Sequence, residues 1–134
     1  MTKTADVPIA TPIDLAHAVI GLERETGRAV LVEQRGGPPQ RIAGYTVGAG
    51  HIAGESPHGG EMHPDGDELL YLISGRVQVV LELDDGDRVV DVDAGQALVV
   101  PRGVWHLIRV VEPGQLFNIT PGPRGDARPR KGST

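Results

Sequence analysis

Between Glu61 and Glu68 the chain sets one imidazole, His63, among four carboxylates: Glu61, Asp65, Asp67 and Glu68. Glu61 and His63 stand two apart, so on an extended strand both side chains leave the same face. Pro64, Asp65 and Gly66 are turn formers, and a tight turn there brings Asp67 or Glu68 back towards the same place. Carboxylates this close repel one another unless they are protonated, solvated or neutralised by a bound cation. A metal ion is the simplest way to satisfy the cluster. The chain has no cysteine, so the ligands have to be nitrogen and oxygen.

Positioning such a cluster calls for short strands and tight turns. Nineteen glycines and eleven prolines in 134 residues, spread among Val, Leu and Ile runs, suit that need. Strands are expected over Arg28 to Glu33, Arg41 to Ile52, Leu69 to Ile73, Val77 to Leu83, Arg88 to Val92, Ala97 to Val100, Val104 to Val111 and Gln115 to Thr120. Val77, Val79, Leu81 and Leu83 alternate with Gln78 and Glu82, as in a half-buried strand. Asp84 to Asp87 reads as a hairpin turn, and Gly75, Gly95 and Gly103 as turn glycines that need positive φ. At the other end, Thr11-Pro12 looks like a cap followed by the first helical residue. The apolar residues from Ile13 to Leu22 then predict a short N-terminal helix over about 12–22.

Strands recurring every eight to ten residues indicate an all-β sandwich or barrel. The length predicts one domain with one core, over residues 11–120. Residues 1–10 have no periodicity and read as a flexible arm. Residues 121–134 are rich in proline, glycine and the basic residues Arg124, Arg128, Arg130 and Lys131, with no large apolar side chain, and predict a solvated tail. The other reading of that tail is an arm that packs on a partner subunit or contacts an anion.

Two blocks fit one larger pattern. The first is His63, four residues, Glu68, six residues, Gly75; the second is Gly95, five residues, Pro101, one residue, Gly103, two residues, His106. From the chain's own composition, the four fixed residues of the second block fall together by chance at roughly 6 × 10⁻⁵ per starting position. Together the blocks resemble the two motifs of the cupin family, over about Glu61 to Val110. The first family motif opens with His-x-His, and the second ends with asparagine three residues after its histidine. Here Glu61 stands in place of the first histidine and Val110 in place of the asparagine.

The resemblance implies a double-stranded β-helix (jelly-roll) barrel with one divalent metal ion, Mn, Fe, Zn or Ni, held by Glu61, His63, Glu68 and His106. Two carboxylates in the set favour harder ions than three histidines would. If only one carboxylate binds, the other is a candidate general base, which makes Glu61 and Glu68 the candidate catalytic residues. Glu68 is preferred to Asp67 as ligand because it keeps the family distance to Gly75. His58 is an alternative first ligand, although Gly59-Gly60 suggests a loop histidine; His51 reads as a pocket-rim residue, and His17 as a surface one. Tyr45, Tyr71, Gln78, Arg102 and Asn118 are candidates for lining a cavity. Trp105, next to His106, should face the opposite way and serve core or interface.

The implied activity is metal-dependent chemistry on a small organic molecule, dioxygenase-like or isomerase-like. The alternatives are a non-catalytic ligand- or metal-binding module, and a structural domain whose site has decayed. Aromatic content of 3% points to an aliphatic pocket and a modest substrate. A net charge of −5 argues against a phosphate-backbone binder. No phosphate loop, dinucleotide fingerprint or nucleophile elbow occurs. No apolar run reaches membrane-spanning length, so a soluble, cytoplasmic protein is expected. A homodimer is expected too, because strands from Arg28 to Ile52 would otherwise leave open edges.

Overall fold

A computed structural model describes residues 2–56 and 58–129. All of its regular structure is β, in two antiparallel sheets. The larger sheet has seven strands, in the order β1 (Thr4–Asp6), β3 (Ala29–Val32), β2 (Val19–Glu23), β4 (Gly44–Ile52), β11 (Gly114–Gly122), β6 (Glu68–Leu72) and β9 (Ala97–Val100). The smaller has five: β12 (Asp126–Arg128), β5 (Gly60–Met62), β10 (His106–Glu112), β7 (Arg76–Leu83) and β8 (Gly86–Asp93).

The alternating strands meet as their patterning requires. Leu70 and Leu72 of β6 and Val100 of β9 pack against Val77, Val79 and Leu81 of β7 and Val92 of β8, forming a core between the sheets. Leu72, Val77, Val79 and Val100 are fully buried. Gly75, Gly95 and Gly103 adopt φ of 87°, 88° and 77°. At Gly75 there is also no room for a side chain, since a Cβ would come within 2.6 Å of the Glu112 carbonyl oxygen. The strands expected from Leu69 to Thr120 are all present, with ends shifted by one or two residues.

The N-terminal half departs from expectation. No helix occurs among the described residues; a turn at 15–17 leads directly into β2. The apolar residues in this stretch serve a strand instead, with Ile20 opposite Val47 and Leu22 opposite Tyr45. Strand pairing with β3 and β4 outweighs the weak local helix signal. The segment expected to be a free arm contains β1, whose Thr4 to Asp6 pair with Val32 to Val30. The strands expected to expose open edges, β3 and β4, each have neighbours on both sides.

The C-terminal segment also differs from a solvated tail. β11 runs on to Gly122, Pro121 is fully buried, and β12 pairs with β5. Arg128 lies over the Trp105 ring at 4.1 Å and pairs with Glu82. Arg130 and Lys131 lie outside the described residues.

Candidate metal centre

Glu61 and His106 come together through strand register. His106 opens β10 with Glu61 of β5 opposite on one side and Leu81 of β7 on the other. Directly paired residues share a face, so Glu61 and His106 point the same way as the core residue Leu81. His63 follows β5 by one residue and keeps the side of Glu61. Across the gap, Glu68 opens β6 of the other sheet, in line with inward-facing Leu70 and Leu72. The turn at 64–66 thus carries the chain from one sheet to the other and sets Glu68 against His63.

The four side chains converge, each offering one ligand atom, and these atoms all lie within 4.8 Å of one another. His63 Nε2 is 3.4 Å from both Glu61 Oε2 and Glu68 Oε2, and His106 Nε2 is 2.9 Å from Glu68 Oε1. The two imidazole rings are 5.3 Å apart and tilted by 51°. His63 is 3% exposed and Glu68 5%, whereas Glu61 at 24% borders open space.

Burial without hydrogen-bond alignment distinguishes this cluster from an ordinary buried ion pair. Both ring nitrogens of His63 and Glu68 Oε1 are buried with no hydrogen-bond partner among the described residues. The 2.9 Å approach of His106 to Glu68 Oε1 therefore lacks hydrogen-bond geometry. Buried polar atoms are nearly always satisfied, and lone pairs aimed at one common point are what a cation requires. The donor set fits a divalent metal.

Neighbouring groups orient the candidate ligands. His106 Nδ1 lies 3.2 Å from the Val104 carbonyl, which can only accept, so Nδ1 carries the proton and Nε2 offers its lone pair to the site. Asn118 donates to Thr120 Oγ1 at 2.7 Å, and the Thr120 hydroxyl donates to Glu68 Oε2 at 2.6 Å. This two-step chain on β11 leaves Glu68 little freedom. Glu61 is approached by His58 Nε2 at 2.8 Å and by Arg41 Nη2 at 4.0 Å.

The electrostatics follow. Burial opposes the charged form of His63, but the Glu61 and Glu68 carboxylates outweigh it and hold the imidazolium to a pKa of about 9. Burial likewise opposes the Glu68 carboxylate, but His106 and His63 outweigh it and lower its pKa to about 2. Glu61 is also lowered: burial acts against its charge, and the nearby His63 and His58 imidazoles act for it.

Other acidic candidates are engaged elsewhere. Asp67 accepts from the Arg102 backbone N–H at 2.8 Å, and Gly103 N–H donates to the His63 carbonyl at 2.9 Å, which ties the two sequence blocks together. Asp65 pairs with Arg124, which holds its carboxyl below the usual range. His17 bonds Asp14 on the surface and His51 bonds Gln115 at the pocket rim. Of the expected cavity-lining residues Asn118 faces the cavity, while Tyr45 and Tyr71 are exposed and Gln78 bonds Asp91.

A cavity of about 400 Å³ opens beside the cluster. Glu61, Glu68 and His106 form its floor, and Leu70, Ile108 and Leu116 supply aliphatic walls. Gly48 and Gly50 of β4 keep it open: a Cβ at Gly48 would meet Asn118 at 3.2 Å, and one at Gly50 would enter free space. Arg41 and Thr120 had not been expected at the site. Neither lies in a recognisable spacing, and only β11 register and the loop before β4 bring them there.

The sequence profile of the Cupin domain matches residues 48–120, more than half of the 134-residue chain. No curated protein matches the sequence significantly. Among solved structures, the chain is similar to Bacillus subtilis oxalate decarboxylase with its Mn(II) centres, with a TM-score of 0.54 and 19% identity, covering 62% of this chain and 23% of that one. A deletion variant of the same enzyme gives a TM-score of 0.54 and 19% identity, covering 62% of this chain and 24% of that one. The chain therefore spans about a quarter of the length of those structures, and at this identity the likeness is one of fold.

Proposed function

The chain belongs to the cupin family, and from that membership we propose that it is a small metal-dependent enzyme acting on a small organic molecule in the cavity between its sheets. In this reading Glu61, His63, Glu68 and His106 hold one divalent metal, and the two sheets close as a double-stranded β-helix. The observation that carries it is the convergence of four possible ligand atoms within 4.8 Å, with His63 Nε2 and Glu68 Oε1 buried and lacking hydrogen bonds among the described residues.

Two hard oxygen and two imidazole ligands suit Mn or Fe, with Zn and Ni next. The Mn(II) centres of the structurally similar oxalate decarboxylase support that order. The bound metal supplies Lewis acidity.

The chain's own residues divide the remaining work. Glu68, pinned by Thr120, is a fixed ligand. Glu61 is the more exposed carboxylate, borders the cavity and touches His58, so if the metal is held by the other three residues alone it is the group placed to move a proton to or from a bound molecule. Leu70, Ile108 and Leu116 give a bound molecule an aliphatic surface beside the cluster. A dioxygenase-like or isomerase-like reaction fits this division, and so does a lyase reaction of the decarboxylase kind.

The second reading is a metal- or ligand-binding module without catalysis. It is favoured by one observation, the carboxylate of Glu61 where the family's first motif opens with histidine.

Association into a homodimer is part of the proposal. Its support is a row of apolar residues aligned by register across five strands of the larger sheet, Ile20, Val47, Ile119, Leu69 and Val99, on the face turned away from the site.

The test is metal analysis of untagged protein purified without chelators. About one metal per chain, lost in His106→Ala, is the expected result. Loss in Glu61→Ala as well makes Glu61 a ligand; retention shows that the metal is held without it and leaves its carboxylate free to act as a base. A wild type that is empty and takes up no Mn, Fe, Zn or Ni on reconstitution refutes the metal-dependent reading.

A further inference from the structure

Arg41 stands apart from the other arginines near the site. Arg124 is engaged by Asp65, Arg24 donates to the Gly122 carbonyl at 3.1 Å, and Arg128 is held by Glu82 and Trp105. Arg41 lines the cavity, and its side chain is only 15% exposed. Its Nε is buried with no hydrogen-bond partner among the described residues. Glu61 Oε2, at 4.0 Å from Nη2, is beyond hydrogen-bond reach. A buried guanidinium donor without an acceptor is costly unless a ligand supplies one.

The surroundings hold Arg41 in place. The Gln34 side chain accepts from the Gln40 backbone N–H at 3.1 Å and donates to the Gln40 carbonyl at 3.3 Å, fixing the loop one residue before Arg41. On the far side Gly125 leaves no slack, since a Cβ there would come within 3.0 Å of Arg41 Nη1. Such preorganisation means that little freedom is lost when a ligand binds.

Charge completes the argument. Two carboxylates balance a divalent metal, and Arg41 then leaves one positive charge. It is the only Lys or Arg among the described residues lining the cavity. A single anionic group would neutralise it, and the planar fork of a guanidinium matches the two oxygens of a carboxylate.

We propose that Arg41 makes this cavity a site for a small carboxylate, pairing with the ligand's carboxylate while the rest of the molecule faces the Glu61, His63, Glu68 and His106 cluster. This rests on the metal-dependent reading for its charge balance and names the substrate class of that same site. Arg41 binds and orients; it takes no part in proton transfer.

The test uses the full chain as purified, with metal content measured on every sample. Acetate, lactate and succinate are titrated by calorimetry against their neutral amides, in wild type, Arg41→Gln and Arg41→Lys. The expected result is that at least one carboxylate binds wild type about tenfold or more tighter than its amide. Arg41→Gln should remove that preference and Arg41→Lys restore part of it, with metal content unchanged in both. Absence of binding by all three carboxylates, or equal binding of acid and amide, overturns the proposal. So does a preference that survives in Arg41→Gln. Loss of metal together with the preference in Arg41→Gln also overturns it, because Arg41 would then be a support for Glu61. If wild type carries no metal yet shows the Arg41-dependent preference, the metal reading fails and the carboxylate site stands.

Discussion

Thr120 and Asn118 hold Glu68, a candidate ligand, in a way that their own chemistry would not reveal. The Thr120 hydroxyl fixes one oxygen of Glu68, so the other is left to face His106. Such outer partners typically contribute 10–100-fold to metal affinity. Thr120→Val, similar in shape but without the donor, should weaken metal retention by about that factor in competition with a chelator, with the fold kept. The protonation of the cluster gives a second expectation, for chelator-treated protein. The pKa of His63 is raised from 6.5 to about 9, so its stabilising effect is complete below pH 6.5 and is lost as pH rises through about 9. Glu68 is lowered from 4.5 to about 2, so its effect is complete above pH 4.5 and is lost as pH falls through about 2. Both describe one attraction from its two ends. The melting temperature of metal-free protein should be highest near pH 4.5–6.5 as far as this cluster governs it, and His63→Gln should flatten the decline towards pH 9.

At the scale of elements, β4 and β11 shape the cavity. They pair along their whole length, and the inward positions of β4 at Gly48 and Gly50 carry no side chain. Gly50 has no positive φ, so a larger residue is tolerated by the backbone and would project into the cavity. Gly50→Leu should therefore abolish small-molecule binding while leaving metal content near wild type, as calorimetry and metal analysis on the same sample would show. β12 closes the other side, and the Arg124 and Arg128 contacts anchor the segment that carries Gly125 over His63 and Arg41. A composition of proline, glycine and arginine hid this strand, because its partner, the three-residue β5, lies more than sixty positions earlier in the chain. The N-terminal helix failed for a related reason: a five-residue strand between two neighbours satisfies more backbone groups than a short, poorly patterned helix would.

For the molecule as a whole, the core and the site occupy different parts of the same gap. The larger sheet supplies Leu70, Leu72 and Val100, and the smaller supplies Val77, Val79, Leu81 and Val92. Leu72 has no exposed surface, and Leu72→Ala should destabilise the protein by about 2–5 kcal/mol in denaturant unfolding. The back of the larger sheet is the other feature of this scale. Val99 there is 54% exposed at the end of the apolar row. If that face joins two copies, Val99→Lys should convert dimer to monomer in light scattering without altering metal content. A wild type that is already monomeric would remove the dimer from the proposal.

The chain alone determined the strand rhythm from Leu69 to Thr120, the turn glycines and the two blocks that carry His63 and His106. These rest on local rules: alternation sets faces, glycine permits positive φ, and the fixed spacings from His63 to Gly75 and from Gly95 to His106 place side chains relative to their own strands. Tertiary structure decided which acid sits beside the histidines, because Asp67 and Glu68 differ by one residue and only pairing with β9 and β11 turns Glu68 inward. It also decided that Arg41 and Thr120 border the cavity and that β1 and β12 join the sheets. Those outcomes depend on contacts between distant parts of the chain, which no local pattern encodes.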